Sequence, residues 1–142
     1  MRHSPSLGDV HETRIHVRWG ELDAYSHVNH ATYLSYLEHA RIAALEHIGW
    51  GMEALSSAGH QVVVVRADVR FRRPATAGDE LVVTSCITDL RAASSHWRQE
   101  ILRDDEVIVE ADITAACTDL EGKPARTPAE FQEALRALID PA

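Results

Sequence analysis

Asn29-His-Ala-Thr-Tyr-Leu-Ser-Tyr-Leu-Glu-His-Ala-Arg-Ile-Ala-Ala-Leu-Glu-His-Ile48 runs without a glycine or a proline. Tyr33, Leu34, Leu37, Ala40, Ala44, Leu45 and Ile48 recur at three- and four-residue steps, the spacing that stacks side chains on one face of an α-helix. Ala31, Ile42 and Ala43 widen that apolar arc, so the helix is expected to bury much of its surface against a sheet. Asn29 stands where it can cap the helix, because its side chain accepts a hydrogen bond from an N–H of the first turn. Gly49 and Gly51 end it, and Met52 to Ser57 offers a further short turn of helix.

Upstream, Glu12 to Trp19 alternates Ile15, Val17 and Trp19 against Arg14, His16 and Arg18, which predicts a half-buried strand over that whole stretch. Gly20 to Ser26 is a polar turn. Downstream, the β-branched run Val62–Val65 continues through Val69 and Phe71 to the breaker Pro74. Glu80–Leu90, Ser95–Leu102 and Glu106–Thr118 follow as strands, separated by Gly78-Asp79, Arg91–Ser94 and Arg103–Asp105. The last alternates Val107, Val109, Ala111, Ile113, Ala115 and Cys117 on one face. Thr127-Pro128 then opens a terminal helix, with Thr127 as N-cap, Pro128 at the first position and Glu130 completing a capping box. Consecutive strands joined by short turns make an antiparallel sheet, and the long helix goes to one face, so the fold class is α+β. Five strands in an open sheet leave two edges. Pairing one edge with the same edge of a second copy covers it, so a homo-oligomer is expected.

At 142 residues the chain is one domain by length. Residues 1–9 read as a flexible leader and residues 10–142 as the domain. Acidic residues outnumber basic ones by 22 to 14, a net charge of −8. That field repels nucleic-acid phosphates, and any phosphate-bearing small ligand would need a local cluster of Arg or Lys. Cys86 and Cys117 sit in strand-like runs without CxxC spacing and read as buried free thiols. No apolar run reaches membrane-spanning length, and residues 1–9 hold no signal-peptide core. A cytoplasmic, reducing setting is the resulting expectation.

Chemically capable side chains are densest from Glu21 to Arg41, including Asp23, Tyr25, His27, Asn29, His30, Tyr33, Glu38 and Arg41. Asp23 lies on the turn before the helix, and His27, Asn29 and His30 lie at or near its N-terminus. The first turn of a helix offers unpaired N–H groups and the positive end of its dipole. Such groups polarise a carbonyl and hold the charge that develops on its oxygen. A carboxylate beside them acts as nucleophile or as general base on water. Acyl transfer is the chemistry this set of groups suits.

The stretch from Trp19-Gly-Glu-Leu-Asp23 to Glu38-His-Ala-Arg41 resembles the signature of the 4-hydroxybenzoyl-CoA thioesterase-like branch of the hotdog superfamily, and Pro74-Ala-Thr-Ala-Gly-Asp79 resembles a common turn of that family. The resemblance implies a five-stranded antiparallel sheet wrapped around a long central helix, homodimers or homotetramers with active sites between subunits, and hydrolysis of acyl-CoA thioesters. It puts Asp23 at the position of the catalytic Asp. His30 matches the His of the Tol-Pal-associated thioesterases, with its backbone N–H as the carbonyl-polarising group. His27, Val28 and Asn29 match a frequent H-V-N run. CoA enters as part of the substrate, not as a cofactor, and its phosphates are expected near Arg91 and Arg126. Ser26 departs from the family's usual Gly, and would carry strain if that position needs a left-handed backbone.

Plainer readings stand beside these. Asp23 is also a common turn residue, His27 and His30 suit a helix start, and Tyr33 and Tyr36 suit a core or pocket wall. Glu38 and Arg41 have the spacing of a helical pair. Glu38 lies about 14 Å along the axis from Asn29, which suits lining an acyl tunnel better than touching the carbonyl. No metal is expected, since His27, His30 and Glu38 lack HExxH spacing and a third ligand. His3, His11 and His96 read as solvated. An acyl-thioester hydratase or dehydratase, and a non-catalytic acyl-CoA or acyl-carrier-binding module, remain alternatives on the same scaffold.

Overall fold

The computed structural model describes residues 10–140, and the expected leader at residues 1–9 lies outside them. The strands are β1 (His11–His16), β2 (His60–Phe71), β3 (Glu80–Leu90), β4 (Ser94–Arg103) and β5 (Glu106–Asp119). They form one five-stranded sheet in the order β1-β3-β4-β5-β2, with every pair antiparallel. The helices are α1 (His30–His47), α2 (Met52–Ser57) and α3 (Ala129–Leu135). The α+β expectation and nearly all element positions are borne out.

Asn29 caps α1 as expected, its side chain accepting the Ala31 N–H at 2.9 Å. Gly49 follows the helix at φ +84°, the left-handed turn that favours glycine at a helix end. The buried side of α1 carries Tyr33, Tyr36, Leu37, Ala40, Ala44 and Leu45. It meets Ile87, Ile101, Val109, Ile113 and Ala115 from the sheet in one core cluster. Each fully buried Leu or Ile in that layer contributes about 1.5–3 kcal/mol. Inside it sit two polar side chains with no solvent exposure, Ser85 and Gln99.

Two local expectations are corrected. The first strand stops at His16, opposite Glu80 where β3 begins; Val17 still donates its N–H to the Asp79 carbonyl at 3.0 Å and accepts the Gly78 N–H at 3.2 Å, and the pairing ends at that turn. The chain turns there into a short 3₁₀ segment, Trp19–Glu21, and Trp19 is 80% exposed. Thr127 does not cap α3. Pro128 holds the N-cap with ψ 141°, and no side chain caps it. Thr127 is buried instead, its N–H bonding the Ala92 carbonyl at 2.9 Å, so tertiary anchoring has displaced the capping box.

Candidate active site

The turn that carries Asp23 is closed by local bonds. Asp23 N–H donates to the His27 carbonyl at 2.7 Å, Ser26 N–H donates to the Asp23 carbonyl at 3.1 Å, and Leu22 faces Val28 as an isolated antiparallel bridge. Both flanks are pinned, Val28 N–H to the Ala75 carbonyl and Asn29 N–H to the Glu21 carbonyl, each at 2.8 Å. Inside the turn, Asp23 Oδ1 accepts the N–H of Tyr25 at 2.8 Å and of His27 at 3.3 Å. The carboxylate is therefore held in one orientation by the backbone it sits on, with both bonds on the same oxygen.

Ser26 stands at φ +62°, so the position does demand a left-handed backbone. Its carbonyl accepts the Thr76 hydroxyl at 3.0 Å, which locks the conformation in place. A side chain in that region costs of order 1 kcal/mol relative to glycine. Ser26→Gly is expected to raise stability by about 0.5–1 kcal/mol in urea unfolding while leaving activity unchanged; a loss of stability would show that the serine makes a compensating contact.

The Pro74–Asp79 turn, against which the Asp23 turn leans, is braced from beneath. Arg103 Nη1 donates to the Pro74 carbonyl and to Asp79 Oδ2, both at 2.9 Å. Tyr33 accepts the Ala75 N–H on its phenol oxygen at 2.9 Å, and burial pushes its pKa up. Tyr36 donates to Glu21 Oε1 at 2.7 Å, and burial, then the Glu21 carboxylate, raise its pKa strongly. Both phenols thus stay protonated and peg the turns to α1. His30 is the first residue of α1, and its ring packs on Phe71 of β2 at 4.6 Å between centroids. Phe71 also packs on Tyr33, at 5.5 Å.

Asp23, His27, Asn29, His30 and Tyr33 are therefore gathered where the turn meets the start of α1. Glu38 lies further along the helix, exposed, on the wall of a groove of about 510 Å³. Arg41 and Ile42 of α1, Leu55 of α2, Val62 of β2, Trp97 and Ala115 also line it. The Arg41 guanidinium at its side is tied through Nη1 to Gln99 Oε1 at 2.8 Å, and Gln99 Nε2 bonds the Leu37 carbonyl at 3.0 Å and Ser85 Oγ at 2.9 Å. Burial lowers the Arg41 pKa while Glu38 opposes that shift. Arg91 and Arg126 sit elsewhere, near each other along the chain's path, because the Thr127–Ala92 bond joins their neighbours. Arg91 is exposed and its Nε donates to Asp89 Oδ2 at 2.8 Å.

Sequence reading assigns no role to Glu21 or Gln99. A signal for Gln99 is present, since it occupies the inward phase of β4 between Trp97 and Ile101. Two histidines read as solvated are half-buried: His11, whose ring meets His47 at 5.3 Å, and His96, whose Nδ1 is 3.0 Å from Thr114 Oγ1. Cys86 and Cys117 are free and buried. Cys117 Sγ lies 3.6 Å from His60 Nδ1, and burial raises its pKa against the opposing Thr127 bond, so it is held as the thiol. Among the described residues no group of three metal-ligating side chains occurs, and no helix is long and apolar enough to cross a membrane.

The chain that places a carboxylate beside a helix N-terminus, with a groove further along the same helix, is similar to thioesterases over most of its length. The long-chain acyl-CoA thioesterase FadM of Escherichia coli (strain K12) is 35% identical over 131 residues, covering 90% of this chain and 98% of that one. The chloroplastic acyl-acyl carrier protein thioesterase ATL2 of Arabidopsis thaliana is 30% identical over 134 residues, covering 93% and 71%. A thioesterase from Thermus thermophilus, solved complexed with coenzyme A and Zn, superposes with a TM-score of 0.78 at 31% identity, covering 89% and 92%. The family model described as the thioesterase-like superfamily matches residues 17–135. With the helix, the sheet order and the Asp23 turn all in place, the chain belongs to the thioesterase-like superfamily and has its hotdog fold.

Proposed function

We propose that this protein hydrolyses acyl-CoA thioesters, with Asp23 as the catalytic carboxylate and the first N–H groups of α1 as the carbonyl-polarising group. One observation carries the reading: Asp23 Oδ1 is fixed by two backbone N–H bonds immediately before the helix start. That arrangement spends both bonds on one oxygen and leaves Oδ2 to attack the thioester carbonyl or to take a proton from water. Asn29 accepts the N–H of Ala31 on its side chain and that of Thr32 on its carbonyl. The N–H of His30, outside that capping, is the one assigned to the developing oxyanion. Water supplies OH to the acyl group and a proton to the departing thiolate, with the His30 imidazole placed to pass that proton. His27, Asn29 and Tyr33 shape the mouth of the site.

The groove beyond Glu38 is assigned to the acyl group. Its volume lies inside the range of about 300–1,000 Å³ typical of small-molecule clefts. Ile42→Trp, which fills the groove without touching the Asp23 turn, is expected to lower kcat/KM at least about 10-fold on long acyl chains and little on acetyl. Equal losses across chain lengths would remove the groove from the acyl path.

The site is proposed to be completed by a second copy, as dimer or tetramer. β2 is an edge of the sheet, with Val63, Val64 and Val65 at 37%, 46% and 61% exposure, a strand that calls for cover. Arg91 also follows the far end of β3, an eleven-residue strand roughly 30 Å or more in length, from the turn that supports Asp23. A cytoplasmic setting is part of the same proposal. The test is a thiol-release screen over short, long and aromatic acyl-CoAs and acyl-carrier-protein thioesters. Release from a carrier-protein substrate alone would move the reading toward the ATL2-like activity. Conversion without thiol release would favour a hydratase, and ligand-induced stabilisation without any reaction a binding module.

A further inference from the structure

We infer that the groove is built for acyl chains that end in a carboxylate, which the guanidinium of Arg41 receives. The inference rests on the thioesterase reading and narrows its substrate to an ω-carboxyl long-chain acyl thioester. Its starting point is how the arginines are neutralised. Arg72, Arg98 and Arg103 each hold a carboxylate. Arg14, Arg18, Arg66, Arg70 and Arg126 hold none among the described residues, but all five are exposed, so water solvates their charge. Arg41 is the unpaired arginine that the fold withdraws from solvent. Burial lowers its pKa, and Glu38, the carboxylate opposing that shift, forms no ion pair with it. An uncompensated charge with little water around it is costly, and an arriving anion offsets part of that cost.

The Arg41 side chain makes one bond among the described residues, from Nη1 to the neutral Gln99 Oε1 at 2.8 Å. No buried side-chain nitrogen among them lacks a partner, so its remaining N–H groups open onto the groove that Arg41 lines. The Gln99 amide is itself held by the Leu37 carbonyl and Ser85 Oγ, which aims the guanidinium before a ligand arrives. A guanidinium fork matches the two oxygens of a carboxylate. The wall around it, Ile42, Leu45, Leu55, Val62 and Trp97, suits methylenes and adds no second Arg or Lys.

His30, Leu34, Glu38 and Ile42 follow at four-residue steps on one face of α1. Leu34 is 45% exposed, an apolar stepping point between the helix start and the groove. Arg41 lies about 16 Å along the axis from His30. A short acyl group held at the helix start stops before it, and a long one brings its far end alongside. Glu38 is exposed at the groove wall, where water and salt screen its repulsion. The buried guanidinium acts through a poorer solvent, so its attraction prevails. Hydrolysis adds OH from water to the thioester carbon and a proton to the CoA sulfur, and the acid released carries a carboxylate at each end.

The test uses the full-length protein and pairs of CoA thioesters of equal chain length, from decanoyl to hexadecanoyl, one ending in methyl and the other in carboxylate. The quantity read is the ratio of kcat/KM, carboxylate over methyl. In the parent it should exceed about 10 for the longest pair and fall toward unity for the shortest. Arg41→Met should lower the long-chain ratio at least about 10-fold, Arg41→Lys should restore part of it, and Glu38→Gln should raise it. A parent ratio at or below unity, or a ratio unmoved by Arg41→Met, would overturn the inference. A hydroxyl-ended chain turned over faster than the carboxylate would also overturn it, in favour of a neutral oxygen. So would a change of oligomeric state in Arg41→Met with the ratio unmoved, which assigns the guanidinium to a carboxylate of a second copy. If Arg41→Met does not fold, the exposed change Glu38→Gln decides, and an unaltered ratio there counts against the inference. If no thioester releases thiol, the thioesterase reading fails on its own. Calorimetric titration with the same uncleaved pair still decides the groove's preference, with the carboxylate-ended chain expected to bind about 10-fold tighter.

Discussion

Asp23→Asn is expected to lower kcat for thioester hydrolysis by about 10²–10⁴-fold, the range a positioned acid–base or nucleophilic group supplies. The substitution is chosen because it separates charge from shape. An asparagine Oδ1 can still accept the N–H groups of Tyr25 and His27 that fix the present side chain. The turn should therefore persist, with a melting temperature within a few degrees of the parent. What disappears is the negative charge that attacks the carbonyl or draws a proton from water. Binding of a non-hydrolysable acyl-CoA should be little changed, since the groove and the arginines lie elsewhere. Near-normal turnover on every acyl-CoA that the parent hydrolyses would remove Asp23 from the mechanism. An acyl-enzyme trapped in a single turnover of the parent would identify the nucleophilic route.

Gln99→Leu should destabilise the fold by about 2–4 kcal/mol, a fall of roughly 6–15 °C in Tm. The leucine is close in volume and more apolar, so transfer alone would favour it. The loss comes from what Gln99 satisfies. Its amide spans α1, β3 and β4 at once, bonding Arg41, the Leu37 carbonyl and Ser85. Removing it strands a largely desolvated guanidinium and a buried hydroxyl, and each such orphan costs about 1–3 kcal/mol. Urea unfolding measures the effect. An unchanged midpoint would mean that water enters and replaces all three bonds.

Most of the secondary structure was legible because its signals are local. The three- and four-residue steps from Tyr33 to Ile48, the asparagine before them and the alternation in Val107–Cys117 each need only neighbouring residues to be recognised. The errors fell where a distant partner decided. Val17 and Trp19 continue the alternation of β1, yet β3 starts at Glu80; Val17 still bonds the Gly78–Asp79 turn and is buried, whereas Trp19 lies past that turn and is exposed. Thr127 carries a sound capping pattern, but its backbone is taken by Ala92. The candidate site divides the same way. Asp23 and the helix start lie within one short stretch and could be read together, whereas Gln99 became meaningful only once Arg41 and Ser85 were seen around it.

Sequence alone determined the order of elements, the capped helix and the turn that carries the carboxylate, because these depend on dihedral preference and side-chain period over a few residues. Only the tertiary structure decided that Ser26 sits at positive φ, that Glu38 and Arg41 open onto a groove, and that Gln99, 58 positions from Arg41, bonds it. Strand register sets such meetings, and register follows from pairing across the whole sheet, which no local pattern encodes.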